Sequence, residues 1–543
     1  MNYRMVFNTV VSKTNTHYAL RTTNSVLHTP LPWLLLALLP GLFYLAVSAW
    51  GFGFTGFPLD DAWIHQTYAR NLAEDGQLAF VPGVPSAGST SPLWSLLLSL
   101  GYILGIPFKG WTYGLGIVFL GLTGWSAARL GSKLFPENPW VGPAAGLFCV
   151  FEWHLVWAAV SGMETILFVW LSLFLMERYL AVAVAEPDAG KISRYFGVGL
   201  LGGLLILTRP EGLGLVGLIG IGSGIRWWRA GSRSASVLLK RWVGIGLGVV
   251  LMVAPYVLFH LRLTGLPFPS TLYAKQAEYG IILSEFSLWW RLFGGFGPPI
   301  DSVQGVFRVI FIGAQLLLLP GLVAAGWLTL KERRWELLPV WGWWIGHLLL
   351  YAIRLPVTYQ HGRYQMPVIA WMIVLGVWGT ARLVAPQSLR LKRNLLVRVG
   401  GKALVGSLVI LVLAFVVVGA QAYGRDVRII ESEMVATARW LDQAVEPQAL
   451  IAAHDIGAMG YFTRRPLIDL AGLITPEVIP IIRDEAALFD FITTQQADYL
   501  VTFPSWYPEM TAQPSLTLEN STDALWSTQA GGDNMVVYRL GRP

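Results

Sequence analysis

The sequence predicts a mostly α-helical, polytopic membrane protein of about 11 to 13 transmembrane helices, with a small C-terminal α/β extracytoplasmic domain. Three observations carry that prediction. Only 13% of the 543 residues are charged and 54% are hydrophobic, whereas a soluble chain needs roughly a quarter charged to cover its surface. Mean hydropathy is +0.54, and uncharged stretches long enough to cross about 30 Å of hydrocarbon recur along the chain. Beyond residue 423 the pattern changes: charges are interspersed and apolar runs are short.

A cytoplasmic tail, 1–31, carries Arg4, Lys13 and Arg21 ahead of the first apolar run at 32–50. That run is long for a signal-peptide core and is followed by no small-x-small cleavage site, so a retained first span is expected. Further apolar segments lie at 92–106, 111–128, 140–160, 163–184, 195–208, 211–225, 242–261, 305–329, 337–353, 366–384 and 403–422. Together, 32–422 form the membrane domain. Three basic clusters should face the cytoplasm: Arg226, Arg229, Arg233, Lys240 and Arg241; Lys331, Arg333 and Arg334; Arg390, Lys392, Arg393, Arg398 and Lys402. Loops 51–91, 262–304 and 354–365, and the domain 423–543, then lie outside. The Arg129/Lys133 loop breaks the count, which implies that one apolar piece between 92 and 225 fails to cross or that two share a broken span. In the tail, MVATARWLDQAV has helical spacing, ALIAAHD and MVVYRL read as strands, and LFDFITTQQADYLVTF reads as helix then strand.

The 25 Trp and 19 Tyr suit aromatic belts at two interfaces. The net charge of +7 belongs to topology rather than to a nucleic-acid partner. The single cysteine, Cys149, excludes an intramolecular disulfide. No P-loop, GxGxxG, HExxH or GxSxG element stands in a suitable setting, so nothing points to nucleotide binding.

Loop 51–91 is the most informative stretch. Asp60 and Asp61 follow closely behind the first span, where a carboxylate can accept a proton from an attacking hydroxyl, bind a sugar or help hold a divalent cation; mere solvation is the bland alternative. Trp63, Tyr68 and Leu72 share one side of a helix-like run to which His65, Arg70 and Glu74 add polar groups, as in an interfacial helix. Arg363, with His361 and Tyr364 beside it, stands at the depth of a lipid phosphate, although an interfacial arginine can also simply snorkel. Lys275 and Tyr273 lie in the external 262–304 segment. Glu164 and the pair Arg209 and Glu211 sit at turns between apolar runs, where ionisable groups pair or serve a site. His154, His260 and His347 fit packing with one hydrogen bond. In the tail, His454 and Asp455 with Gly457 and Gly460 read as a strand-to-helix turn, Asp469 follows, and Trp506/Tyr507 could stack on a sugar or pack.

The loop sequence DDAWIHQTYARNL, then FVPG, then STSPLW, resembles the first external loop of the GT-C glycosyltransferases. It is most similar to the branch of polyprenyl-phosphate-dependent arabinofuranosyltransferases. SGMETILF (161–168), LTRPEGL (207–213), LPFPSTLYAK (266–275), HGRYQMP (361–367) and HDIGAMGYFTRRPLIDLAGLITP (454–476) extend the resemblance in order. It implies a GT-C fold in the cytoplasmic membrane and transfer of a sugar, arabinofuranose or another pentose or hexose, from a polyprenyl-phosphate donor to a hydroxyl of an extracytoplasmic glycan or glycolipid. By the same resemblance Asp60 is the favoured base and Asp61 its helper. Arg363, Lys275, His361 and Tyr364 would bind donor phosphate. His65, Tyr68, Arg70, Glu164, Tyr273, Arg209 and Glu211 would contact substrate, and Asp60, Asp61 and Glu164 could hold Mg or Mn. The alternatives are a protein O-mannosyltransferase-like enzyme, a lipid-linked sugar flippase and an inactive binding subunit.

Overall fold

A computed structural model describes residues 29–185, 192–229, 234–294, 305–384 and 395–541. The N-terminal charges, Arg233, Arg390, Lys392 and Arg393 lie outside the described residues.

The membrane part is built from α1 (Leu31–Ala46), α2 (Asp61–Asp75), the hairpin β1 (Ala79–Val81) and β2 (Val84–Pro85), α3 (Pro92–Ile103), α4 (Phe108–Leu134), α5 (Val141–Phe151), α6 (Trp153–Val160) and α7 (Thr165–Ala185). It continues with α8 (Ile192–Thr208), α9 (Gly212–Arg229), α10 (Ala235–Thr264), α11 (Ser270–Glu278), α12 (Leu319–Lys331), α13 (Leu338–Arg354), α14 (Ile369–Val384) and α15 (Leu395–Ile430). Among the described residues, six helical segments are long and apolar enough to cross a bilayer, and the α5–α6 pair, bent by 53°, makes a seventh as one broken span. The helices α4, α8, α9 and α13 fall short of one of those criteria; counted with the seven, they make eleven helical segments.

That count removes the conflict over the Arg129/Lys133 loop. Helix α3 has 12 residues, about 18 Å at 1.5 Å per residue, too short to cross. Gly105, in the left-handed region at φ 67°, and Pro107 behind it end α3 early. With α3 excluded, the helices alternate so that two chemistries separate. At one end Arg129 and Lys133 pair with Glu177 at 2.8 and 2.7 Å, and Arg334 pairs with Glu137 at 3.3 Å. Arg382 reaches Glu137 and Glu332 there as well. Asp61, Glu164, Arg209 and Arg363 gather at the other end.

The last span does not stop at residue 423. It continues through a π-helical turn, Glu431–Val435, into α16 (Ala436–Ala444). The tail then adds α17 (Gly457–Thr463), α18 (Glu485–Thr494) and a five-stranded sheet in the order β4-β3-β5-β7-β6. Its strands are β3 (Ile451–Ala453), β4 (Leu467–Asp469), β5 (Tyr499–Thr502), β6 (Leu516–Ser521) and β7 (Val536–Leu540). Strand β3 is parallel to both β4 and β5, while β7 pairs antiparallel with β5 and β6. Strands β3, β5 and β7 and helices α16 and α18 match the sequence reading; β4 and β6 were hidden by their shortness and by polar residues on β6. Glu433, in the π turn, accepts from Met535 N–H at 2.8 Å and Asn534 Nδ2 at 3.1 Å, which fastens the sheet to the helix.

Candidate functional site

A cavity of about 510 Å³ opens at the end where Asp61 lies. Its walls come from α2, the 86–90 segment, the starts of α7 and α9, the ends of α8 and α13, α11, and the Arg363–Tyr364 approach to α14. Phe268, Leu272, Leu350 and Leu355 give it an apolar flank. A larger cavity of about 630 Å³ lies between α5, α14 and α15, but no titratable side chain lines it and it has no chemistry to offer.

Helix α2 explains why two adjacent aspartates have different tasks. Asp60 precedes the helix and Asp61 opens it; side chains one residue apart on a helix diverge by about 100°. Asp61 and His65 line the cavity, together with Ile64. Asp60 turns the other way and accepts from the backbone N–H groups of Gly457 and Ala458 at 2.6 and 2.8 Å. Asp60, the expected base, thus has both its oxygens engaged with the start of α17 rather than facing the cavity. Burial pushes the Asp60 carboxyl up to about 7, against the pull of those two N–H donors. Arg70 is also turned to the tail, donating to the carbonyls of Tyr461 and Gly460, and Trp63 packs on Tyr461 and Phe462 at centroid distances of 5.0 and 4.9 Å. Acid at the start of α17 and base at its end satisfy free backbone groups at both termini. Gly457 and Gly460 are thus helical rather than turn positions. A Cβ on Gly457 would lie 2.1 Å from the Asp60 carbonyl oxygen, and one on Gly460 2.3 Å from the Phe80 ring.

Arg363 is 3% exposed and lines the cavity. It pairs with Asp61 and donates to the Tyr364 hydroxyl at 2.9 Å, yet its Nε and Nη1 have no hydrogen-bond partner among the described residues. Leaving such donors buried and unmet costs free energy. Lys275 donates to the same Tyr364 hydroxyl at 2.6 Å. Burial alone would lower the Lys275 pKa, but Tyr364, Tyr359 and Asp61 outweigh it and keep the ammonium charged. For Asp61 burial acts upward and is overcome by Arg363 and Lys275, which hold the carboxyl well below the usual carboxylate range. Tyr273 lines the cavity beside Lys275.

Glu164 and Arg209 line the cavity next to this group, the Arg209 guanidinium 5.2 Å from the centroid of the Tyr364 ring. Arg209 reaches Glu164 at 3.0 Å, Glu211 at 2.9 Å and the Tyr351 hydroxyl at 2.9 Å, so one guanidinium ties together the ends of α7, α8, α9 and α13. Glu164 also lies 3.1 Å from His65 Nε2; burial raises its pKa, and His65 and Arg209 more than offset this, bringing it to about 2. Tyr351 was unmarked in the sequence because a tyrosine at a span end reads as aromatic belt.

Other expectations are redirected. His361 does not line the cavity; its Nε2 is 2.8 Å from Asp426 Oδ2, with Trp153 and Trp157 edge-on to its ring. Tyr68 hydrogen-bonds Ser86 at 2.5 Å and so shapes the 86–90 wall. Asp469 accepts from Ala471 and Ile474 N–H at 2.9 and 2.8 Å, fixing the turn whose Leu473 reaches the cavity; burial raises its pKa to about 7. Asp60, Asp61 and Glu164 each have other partners, and among the described residues no three acidic, His or Cys side chains are placed to share a metal ion.

A family profile described as a domain of unknown function (DUF8728) matches residues 422–538. No curated protein matches the sequence. Solved structures do. ArnT from Cupriavidus metallidurans bound to undecaprenyl phosphate is 15% identical, with 93% of this chain and 98% of that one covered at a TM-score of 0.56. The apo oligosaccharyltransferase of Archaeoglobus fulgidus is 12% identical, with 87% of this chain and 69% of that one covered at a TM-score of 0.60. The A. fulgidus oligosaccharyltransferase AglB in complex with an inhibitory peptide and a dolichol phosphate is 10% identical, with the same coverage and a TM-score of 0.58. At such identities the likeness shows the fold alone: a polytopic helical membrane unit with a C-terminal domain that carries a small sheet.

Proposed function

We propose that this chain is a glycosyltransferase that moves a sugar from a polyprenyl-phosphate donor to an acceptor hydroxyl, with Asp61 as the base. One observation carries the reading. The buried Arg363 guanidinium, two of whose nitrogens have no hydrogen-bond partner among the described residues, belongs to a residue lining the same cavity as Asp61. Arginine meets phosphate oxygens through paired hydrogen bonds, and Lys275 adds a second cation. The apolar flank of Phe268, Leu272, Leu350 and Leu355 suits the start of an isoprenoid chain. The lipid phosphates named with the ArnT and AglB structures are of the same ligand class.

In this reading the acceptor oxygen attacks the anomeric carbon and its proton passes to Asp61. The bond from that carbon to the phosphate oxygen breaks, and the electron pair leaves on polyprenyl phosphate, neutralised by Arg363 and Lys275. The resting site keeps Asp61 on Arg363. A donor phosphate competes for that guanidinium, which frees the carboxylate and raises its basicity only when there is a sugar to transfer. Arg209, Glu164, Glu211 and His65 hold the adjoining wall. The sugar is a pentose or hexose, arabinofuranose among them. The acceptor is an extracytoplasmic glycan or glycolipid, and the basic end faces the cytoplasm.

The test uses purified protein in vesicles with a panel of polyprenyl-phosphate pentoses and hexoses. Asp61→Asn should lower kcat by about 10²- to 10⁴-fold, the usual worth of a positioned base, while Asp60→Asn should retain more activity than Asp61→Asn. Full activity in Asp61→Asn discards the assignment, and movement of labelled donor across the membrane without glycoside product replaces it with a flippase.

A further inference from the structure

The tail brings a second group of side chains to the rim of the site. Strands β4, β3 and β5 run parallel, so their carboxyl ends share one edge of the sheet. In open α/β sheets that edge is where ligands bind. Asp469 ends β4, His454 and Asp455 follow β3, and Trp506 and Tyr507 follow β5. The edge faces the membrane domain, because Asp60 holds Gly457 and Ala458, two and three residues after Asp455. Helix α11 then joins the two regions: Lys275 lines the cavity, and Glu278, three residues on and therefore on the same helix side, lies 4.0 Å from His454 Nε2.

This group has an aromatic plate at its centre. Trp506 is 46% exposed, and the His454 ring stands nearly perpendicular to it at a centroid distance of 5.0 Å. His454 is fixed from its other side by the Tyr507 hydroxyl at 2.7 Å. Asp455 is half-buried; burial, and then the charges of Asp60, Asp61, Glu278 and Asp469, raise its pKa far above the ordinary range. An exposed indole accepts the apolar face of a sugar ring, while imidazole and carboxyl groups bond its hydroxyls. The negative charges of Glu278 and Asp61, both of which act on His454, disfavour an anionic ring there.

We infer that Trp506, His454, Asp455 and Glu278 form the acceptor subsite and that it takes an uncharged sugar ring, presenting one hydroxyl toward Asp61. The inference rests on the glycosyl-transfer reading for the word acceptor; the sugar site itself stands on its own geometry. Binding is therefore measured without turnover. Saturation-transfer NMR on the full chain in nanodiscs, with methyl glycosides of neutral hexoses and pentoses and with methyl glucuronide, reads ring contact directly. Neutral glycosides should give a signal that drops at least about fivefold in Trp506→Ala and persists in Trp506→Phe, with little signal from the glucuronide. Silence from every neutral glycoside, equal signals in Trp506→Ala, or a glucuronide signal as strong as the neutral ones each overturns the subsite. A donor-consumption assay on the same samples tests the transfer reading separately, so failure of one leaves the other to be judged alone.

Discussion

Gln360 and His361 take φ of 52° and 58°, and Gly362 follows at 70°. Left-handed backbone is uncommon outside glycine, and two such residues in succession persist only where the surroundings fix them. The pair of His361 with Asp426 and the two flanking tryptophans provide that fixation. The result is an Arg363 side chain delivered to the cavity from a short, tightly held turn. Replacing it with lysine keeps the charge but loses the planar fork. Arg363→Lys should lower kcat/KM for the donor by about 10- to 150-fold, corresponding to roughly 1.5–3 kcal/mol for hydrogen bonds to a charged group; an unchanged value would remove Arg363 from the phosphate site. At this scale the sequence pointed to Arg363, Lys275 and the aspartate pair, but it could not separate Asp60 from Asp61. Their difference depends on where a helix begins, by one residue, and on what packs behind it. His361 and Arg70 were misread for the same reason: residue type gives the chemistry, and only tertiary packing gives the direction.

Among elements, α17 decides how the tail meets the membrane part. It is gripped by Asp60 at its start and Arg70 at its end, and the nearby turn is shaped by Asp469. Burial raises both carboxyls to about 7, above an unfolded value near 4. The docked state therefore binds more protons than the undocked one between about pH 4 and 7. This contribution is full below pH 4 and is lost as pH rises through 7. Hydrogen-exchange protection factors over 457–474 should fall between pH 5 and pH 7.5, and Asp60→Asn should flatten part of that fall; protection that climbs with pH refutes the linkage. Element existence was largely legible from apolar runs and strand patterning. The extent of α3 was not, because its apolar composition continues past the Gly105 turn that ends it. Nor was the break between α5 and α6, where Glu152 caps a new helix by accepting from Leu155 N–H at 2.9 Å.

For the whole molecule, the sorting of charges to two ends makes sidedness measurable. The only cysteine, Cys149, is buried, so an introduced thiol reports alone. Leu518→Cys, on the tail where Leu518 is 60% exposed, should react with an impermeant maleimide in intact cells. Trp228→Cys, at the basic end where Trp228 is 75% exposed, should react only in inverted vesicles. The reverse pattern would put the cavity on the cytoplasmic side and end the proposed route from lipid-linked donor to external acceptor.

The unbroken last helix has a mechanical consequence. From Val399 to Ala444 it covers 46 residues, about 70 Å at 1.5 Å per residue, roughly twice the hydrocarbon thickness. Its outer half is a lever whose fulcrum lies at the lipid surface. A swing of about ten degrees, well within the range that bilayers of different thickness impose on spanning helices, would displace the far tip by about 6 Å. The grip of Asp60 and Arg70 on α17, with Trp63 packed on Tyr461 and Phe462, opposes such a swing and keeps the two halves of the site together.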